Sequence, residues 1–161
     1  MVRTYELSQY PDSELFLPFK LDTDIFAVES RYVSAISSML LISPLPGTPE
    51  YLKGIAKVEG QIIPVIDMRL KMRKEYRPYN DDTQIIMLSL EGIQSGLIVD
   101  TLMESRPVYP EYLDGYVSDR YPGKNHYFKG SIKINGSPAM ILDCKKLLME
   151  DEIFDLAQLV S

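Results

Sequence analysis

Histidine and cysteine supply most of the proton-shuttling and nucleophilic chemistry open to a protein. This sequence of 161 residues holds one of each, His126 and Cys144. A Ser-His-Asp or Cys-His relay needs a histidine held against its nucleophile, whereas His126 follows Lys124 and Asn125 in a polar stretch and reads as a surface residue. A single cysteine allows neither an intramolecular disulfide nor a thiolate metal cluster. No GxxxxGK[ST], GxGxxG, GxSxG or HExxH string occurs, so phosphate cradles, dinucleotide folds, nucleophile elbows and the common zinc-protease site have no support. Asp22 and Asp24 flank Thr23, but the third ligand, central glycine and terminal glutamate of a calcium loop are missing, and a plain turn is expected. The expectations are no enzyme, no metal and no cofactor.

Two further aspartates recur in matching contexts. Asp67 precedes Met68 to Met72 and Asp143 precedes Cys144 to Met149, where a carboxylate can accept from the unpaired amides of a first helical turn. Both are expected to be helix caps. They belong to an internal repeat: Tyr51 to Met72 lies on Tyr127 to Leu148 without a gap, at an offset of 76 residues. Tyr51/Tyr127, Lys53/Lys129, Gly54/Gly130, Lys57/Lys133, Gly60/Gly136 and Asp67/Asp143 are identical. Each copy reads as strand, glycine turn, strand, then an aspartate opening a short helix, and two copies imply two similar half-domains.

The elements that would position these residues are mostly short strands. Leu15 to Leu21 and Ile25 to Val28 flank Asp22-Thr23-Asp24, and Gln84 to Leu90 and Ile93 to Val99 flank Glu91-Gly92, so both pairs read as hairpins. Asn135-Gly136 tolerates the positive φ angles of a type I′ turn between Tyr127 to Ile134 and Ser137 to Leu142. Residues 106–126 hold three prolines and Tyr109, Tyr112, Tyr116 and Tyr121; this long connection is either a binding surface or a cover for an open side. Ile153, Phe154, Ala157 and Val160 fall at helical spacing and predict a terminal amphipathic helix.

Charge and hydropathy narrow the function. Lys plus Arg number 17 against 23 Asp plus Glu, a net charge of −6, so a phosphate-backbone binder is not expected. The one dense basic stretch, Arg69, Lys71, Arg73, Lys74 and Arg77, is followed by Asp81 and Asp82 and reads as a solvated face. The start lacks the apolar block of a signal peptide, and no apolar run approaches the ~20 residues that span a bilayer, so a cytoplasmic protein without membrane insertion is expected. A chain of this kind works by binding. Met39, Leu40, Leu41 and Ile42 are consecutive apolar residues: as a one-sided strand they expose two side chains, and as a doubly buried strand they expose none.

The segment Gly54-Ile55-Ala56-Lys57-Val58-Glu59-Gly60-Gln61-Ile62-Ile63-Pro64-Val65-Ile66-Asp67-Met68-Arg69 resembles the CheW coupling proteins of bacterial chemotaxis. Phe19 to Val28, Leu45-Pro46-Gly47, Gly96 to Asp100 and Leu142 to Leu148 extend the likeness, which covers about Leu15 to Met149. It implies an all-β fold with a few short helices: two five-stranded β-barrel subdomains around a shared core, followed by a C-terminal helix. The expected division is an N-terminal extension over 1–14, a CheW-like domain over 15–149 with intertwined halves near 15–82 and 83–149, and the amphipathic helix over 150–161.

The resemblance also implies a function. CheW-like proteins are adaptors joining the regulatory domain of a CheA-type histidine kinase to the cytoplasmic tips of methyl-accepting chemoreceptors. By position, Val33, Ile36, Val58, Val99 and Leu102 would line or border the receptor groove, and Met39, Leu40, Leu41 and Ile42 would lie near the kinase-facing side. Lys57 and Glu59 stand where the family pattern has Asn and Arg, and Ala35 where an acidic residue is usual. The reversal at Glu59, next to Gly60, would favour a cation on the partner. The alternative is a binding module of the same fold for a different partner or a small apolar ligand.

Overall fold

The structure is a computed structural model describing residues 14–109, 111–112 and 127–148. His126, the tyrosines 116 and 121, the extension before Glu14 and the expected terminal helix lie outside the described residues. Twelve strands and two short helices follow in order: β1 (Glu14–Leu21), β2 (Asp24–Glu29), β3 (Val33–Ser37), β4 (Leu52–Val58), β5 (Gln61–Asp67), α1 (Met68–Lys71), β6 (Gln84–Leu90), β7 (Ile93–Val99), β8 (Thr101–Leu102), β9 (Arg106–Val108), β10 (Glu111–Tyr112), β11 (Phe128–Ile134), β12 (Ser137–Leu142) and α2 (Cys144–Leu148). The all-β expectation with short helices holds.

Both repeat copies fold alike. β4, β5 and α1 match β11, β12 and α2 at the offset of 76, and each strand pair carries its irregularity at the same place, Leu52/Gly54 and Phe128/Gly130. The turns match as well: Glu59 and Gly60 have φ of 49° and 82°, Asn135 and Gly136 of 50° and 82°. The Asp67 amide donates to Tyr51 O at 2.7 Å and the Asp143 amide to Tyr127 O at 2.6 Å. Asp67 Oδ1 accepts from the Leu70 amide at 3.3 Å and Asp143 Oδ1 from the Lys146 amide at 3.1 Å, so both are caps as expected.

The sheets do not follow the expected division near residue 82. β5 runs parallel to β7, which carries the first repeat copy into a five-stranded sheet ordered β3-β6-β7-β5-β4. β12 runs parallel to β2, which gives a seven-stranded sheet ordered β10-β11-β12-β2-β1-β8 with β9 also on β1. One subdomain is therefore the continuous segment 33–99, and the other joins 14–29 to 101–108, 111–112 and 128–142. The two-subdomain description fits: one sheet has five strands, the short strands β8, β9 and β10 extend the other to seven, and neither ladder closes among the described residues.

Three apolar cores result. Phe16, Ala27, Ile132, Ile134, Ala139 and Ile141 fill the seven-stranded sheet, and Ala56, Ile63, Val65, Ile85, Met87 and Ile98 fill the five-stranded one. The largest lies between them, where Leu17, Phe19, Phe26 and Val28 meet Leu52, Ile66, Ile86, Leu88 and Leu97. Phe26 stacks on Phe19 and on Phe128 there, with ring centroids 5.7 and 6.0 Å apart.

The basic stretch is a solvated face only in part: Arg73 and Arg77 are exposed. Arg69 and Lys71 are buried, because the capped turn of α1 drops into the junction between the sheets. The Lys71 ammonium lies 3.8 Å from the Tyr51 ring centroid and 4.7 Å from that of Tyr127, the first residues of the two repeat copies.

Glycine is required most strictly at position 54. Ser43 and Ile55 exchange backbone hydrogen bonds of 2.8 and 2.9 Å, and a Cβ on Gly54, at φ +142°, would stand 2.0 Å from Ser43 O. Gly60 has φ +82° but open space around it. Urea titration is expected to show Gly60→Ala losing about 1–2 kcal/mol, the left-handed penalty alone, and Gly54→Ala losing clearly more. Equal losses would mean that the 43–55 bridge gives way freely.

Candidate functional site

Strand registry explains how a groove arises between the two sheets. In a regular strand, residues three apart face opposite sides. In β3, Val33 pairs with Leu88, Ala35 with Met87 and Ile36 with Ile86, so Ser34 is an extra residue. That bulge turns Val33 and Ile36 to one face, over Leu88 and Ile86 of the shared core. Leu102 of β8 pairs with Phe19 of β1, on the same core.

Val33, Ile36 and Leu102 are only half-buried, so the shared core surfaces here as an apolar floor. A cavity of about 380 Å³ is lined by Leu15, Leu17, Val33, Ala35, Ile36 and the hydroxyl side chains beside them. A second cavity of about 680 Å³ shares Leu17 and Ile36 as walls, and its other walls include Asp81, Asp82, Leu102, Met103 and Glu104.

The remaining sequence candidates fall elsewhere. Val99 is 1% exposed and sits inside the shared core, so its side chain is not on the groove surface. Val58 packs on the core of the five-stranded sheet together with Met39, Leu40 and Ile42, on a different part of the surface from the groove. Met39 to Ile42 form no strand, so neither strand reading of this segment holds: Leu41 is 91% exposed and the other three are half-buried. Glu59 and Gly60 form the exposed β4–β5 turn. The candidates thus form two groups, Val33, Ile36 and Leu102 at the groove, and Met39, Leu40, Leu41, Ile42 and Val58 near the Glu59 turn. Leu15, Leu17, Met103 and the carboxylates at Asp81, Asp82 and Glu104 were not foreseen as groove residues. Alternation in Leu15-Phe16-Leu17 was a signal for the first two; nothing local ties the carboxylates to β1 or β3.

A cluster of charges stands close by. Arg69 Nη1 donates to Asp22 Oδ1 at 2.8 Å and to Asp100 Oδ2 at 2.6 Å, while its Nε donates to Glu75 O at 2.8 Å. Lys74 Nζ donates to Asp24 Oδ2 at 2.8 Å, and Arg77 also contacts Asp22 and Asp100. The Asp22–Asp24 turn is thus held by three cations of the opposite subdomain. Tyr79 donates to Asp67 Oδ2 at 2.8 Å, and burial together with that bond pushes the phenol well above its ordinary range. The buried Cys144 thiol is pushed up to about 12 by burial, so it is not a nucleophile at neutral pH.

Residues 15–152 match the family model of the CheW-like domain. The chain belongs to the CheW-like family. It is 23% identical over 138 residues to the chemotaxis protein CheW of Klebsiella aerogenes, covering 86% of this chain and 83% of that one. It is 24% identical over 152 residues to the chemotaxis protein CheW of Treponema pallidum, covering 88% and 85%. The crystal structure of the scaffolding protein TtCheW from Thermoanaerobacter tengcongensis superposes with a TM-score of 0.74 at 24% identity, covering 86% of this chain and 94% of that one. The CheW-like fold expected from the Gly54 to Arg69 segment is therefore the fold of the chain. Among the described residues no helix is long and apolar enough to cross a membrane.

The charge cluster has a pH signature. The hydrogen bond from Arg69, then the charges of Arg69, Arg77 and Lys74, hold the Asp22 carboxyl below its ordinary value, against a smaller opposing effect of burial. With the folded pKa below the unfolded one, this contribution is complete above the unfolded value of about 3.9 and is lost as pH falls through the folded value. Asp22→Asn is therefore expected to lower stability at pH 7 and to flatten the fall in stability below about pH 4. Denaturant titrations at several pH values check this, and an unchanged acid limb would contradict it.

Proposed function

We propose that this CheW-like chain is a non-catalytic adaptor of chemotaxis-type signalling. It couples the regulatory domain of a CheA-type histidine kinase to the cytoplasmic tip of a methyl-accepting chemoreceptor, and it works in the cytoplasm. The observation that carries this reading is the apolar groove between the sheets, floored by Val33, Ile36 and Leu102. Receptor tips are helical, and an open groove over a half-buried core suits a helix presenting an apolar stripe. Covering those side chains completes the burial that folding leaves unfinished, at roughly 25 cal/mol per Å² of apolar surface removed from water.

A second surface is available for the kinase. Leu41 protrudes from a segment whose neighbours Met39, Leu40 and Ile42 are anchored on the core beneath, a rigid support for an exposed anchor residue. Separate surfaces allow both partners to bind at once, which an adaptor requires. A small apolar ligand is the second reading, since about 380 Å³ falls within the size range of ligand sites.

Co-elution with a CheA-type regulatory domain and with a receptor-tip fragment from the same organism tests the adaptor. Ile36→Asp is expected to weaken receptor-fragment binding at least tenfold while sparing the kinase domain, and Leu41→Glu to do the reverse. Co-elution with neither partner, together with a thermal shift by an apolar metabolite, would favour the small-ligand reading.

Glu59 gives a further expectation. If the turn contacts a partner cation, Glu59→Arg weakens binding to that partner. The loss is about 2–5 kcal/mol for a desolvated contact, and mainly a change in association rate and salt dependence at a rim. Unchanged affinity and salt slope would place this turn outside the interface.

A further inference from the structure

An apolar groove alone does not decide which way a helix lies in it, because an apolar stripe read backwards is still an apolar stripe. Here the two ends differ in charge. The Leu15, Leu17, Val33 and Ile36 end is uncharged, whereas the neighbouring cavity that shares Leu17 and Ile36 is lined by Asp81, Asp82 and Glu104. Asp81 and Asp82 are exposed and form no ion pair among the described residues. The nearest cationic cluster does not supply one, since Arg69 and Arg77 are engaged by Asp22 and Asp100. In a chain of net charge −6, these carboxylates add to a negative field at one end of the groove.

Resting on the groove reading above, we propose that its occupant is an amphipathic helix with a lysine or arginine at one end of its apolar stripe. That cation settles against Asp81 and Asp82 while the apolar residues cover Leu17, Val33 and Ile36. The acidic end thereby fixes the helix direction and selects against helices carrying a carboxylate at the same position. Exposed charges act mainly through steering and register, so the selectivity weakens as salt screens it.

The probe is a designed antiparallel two-helix hairpin with an exposed Leu/Val/Ile stripe, made in two forms that carry a single arginine or a single glutamate at one end of that stripe. Titration against the full chain at low salt is expected to show the arginine form binding about tenfold more tightly than the glutamate form. The preference should shrink at high salt and vanish in the Asp81→Asn, Asp82→Asn double variant, whose changes are at exposed positions and whose urea midpoint confirms folding. Equal binding of the two forms, a preference that survives the double variant, or no binding of either form overturns the inference. Ile36→Asp separates this from the groove reading. If it weakens both forms while they bind equally, the groove stands and only the charge selection falls. If it changes neither, the groove is not the site and both readings fall.

Discussion

Each sheet of this protein has to bury both of its faces, and most of the structure follows from that constraint. β1, β2 and β7 carry runs of four or five consecutive buried residues instead of alternating ones. In β1, Phe16 faces the core of its own sheet while Leu17 and Phe19 face the core shared with the other. A strand of this kind has no solvent side, so neither subdomain can be removed without exposing the partner's apolar face. Where β3 and β8 reach the edge of the shared core, coverage stops and the floor at Val33, Ile36 and Leu102 remains half-exposed. The groove is the unfinished margin of the interior.

The chain passes between sheets twice in the described residues, after β2 and after β7, and ion pairs mark both passages. Glu29 is buried beside the first and is bound by Arg31 and Lys129; Asp100 follows β7 at the second and is bound by Arg69 and Arg77. The carboxylates are buried or partly buried while Arg31 and Arg77 are largely exposed, so desolvation offsets much of the attraction, and removing the cations leaves a costly lone charge on the carboxylate. Their effect is to fix where the backbone turns. Lys71 shows how the duplicated halves have diverged around the same point: it lies between Tyr51 and Tyr127, while the equivalent position in the second copy is the apolar Leu147.

What the sequence made legible was local. The glycine turns, the capping aspartates and the strand-turn-strand-helix layout of each repeat copy depend on residues within one copy of 22 positions, and each is found where spacing put it. Parallel pairing of β5 with β7 and of β12 with β2 is non-local and leaves no trace in either strand alone, so the division near residue 82 was misplaced. Arg69 looked solvated because its partners, Asp22 and Asp100, are 47 and 31 residues away. At the groove, Val33 and Ile36 came from the family likeness, but the reason they share a face is the bulge at Ser34, which hydropathy does not reveal. Val99 and Val58 were grouped with them by position; one is interior and the other packs on a different core.

The interleaved division also sets an order of assembly. The five-stranded sheet is made from the unbroken segment 33–99, so all of its pairings are available as soon as that stretch of chain exists. The seven-stranded sheet needs β2 to wait for β12, more than a hundred residues later, before its central parallel ladder can form. Loop closure over such a separation slows folding, and during synthesis β2 would remain unpaired on one side until β12 emerges. The inner module is thus a template on which the outer one completes itself last, and the groove between them exists only in the finished molecule. A nascent or half-folded chain has no such margin, so the partner binding proposed for the groove requires the completed fold.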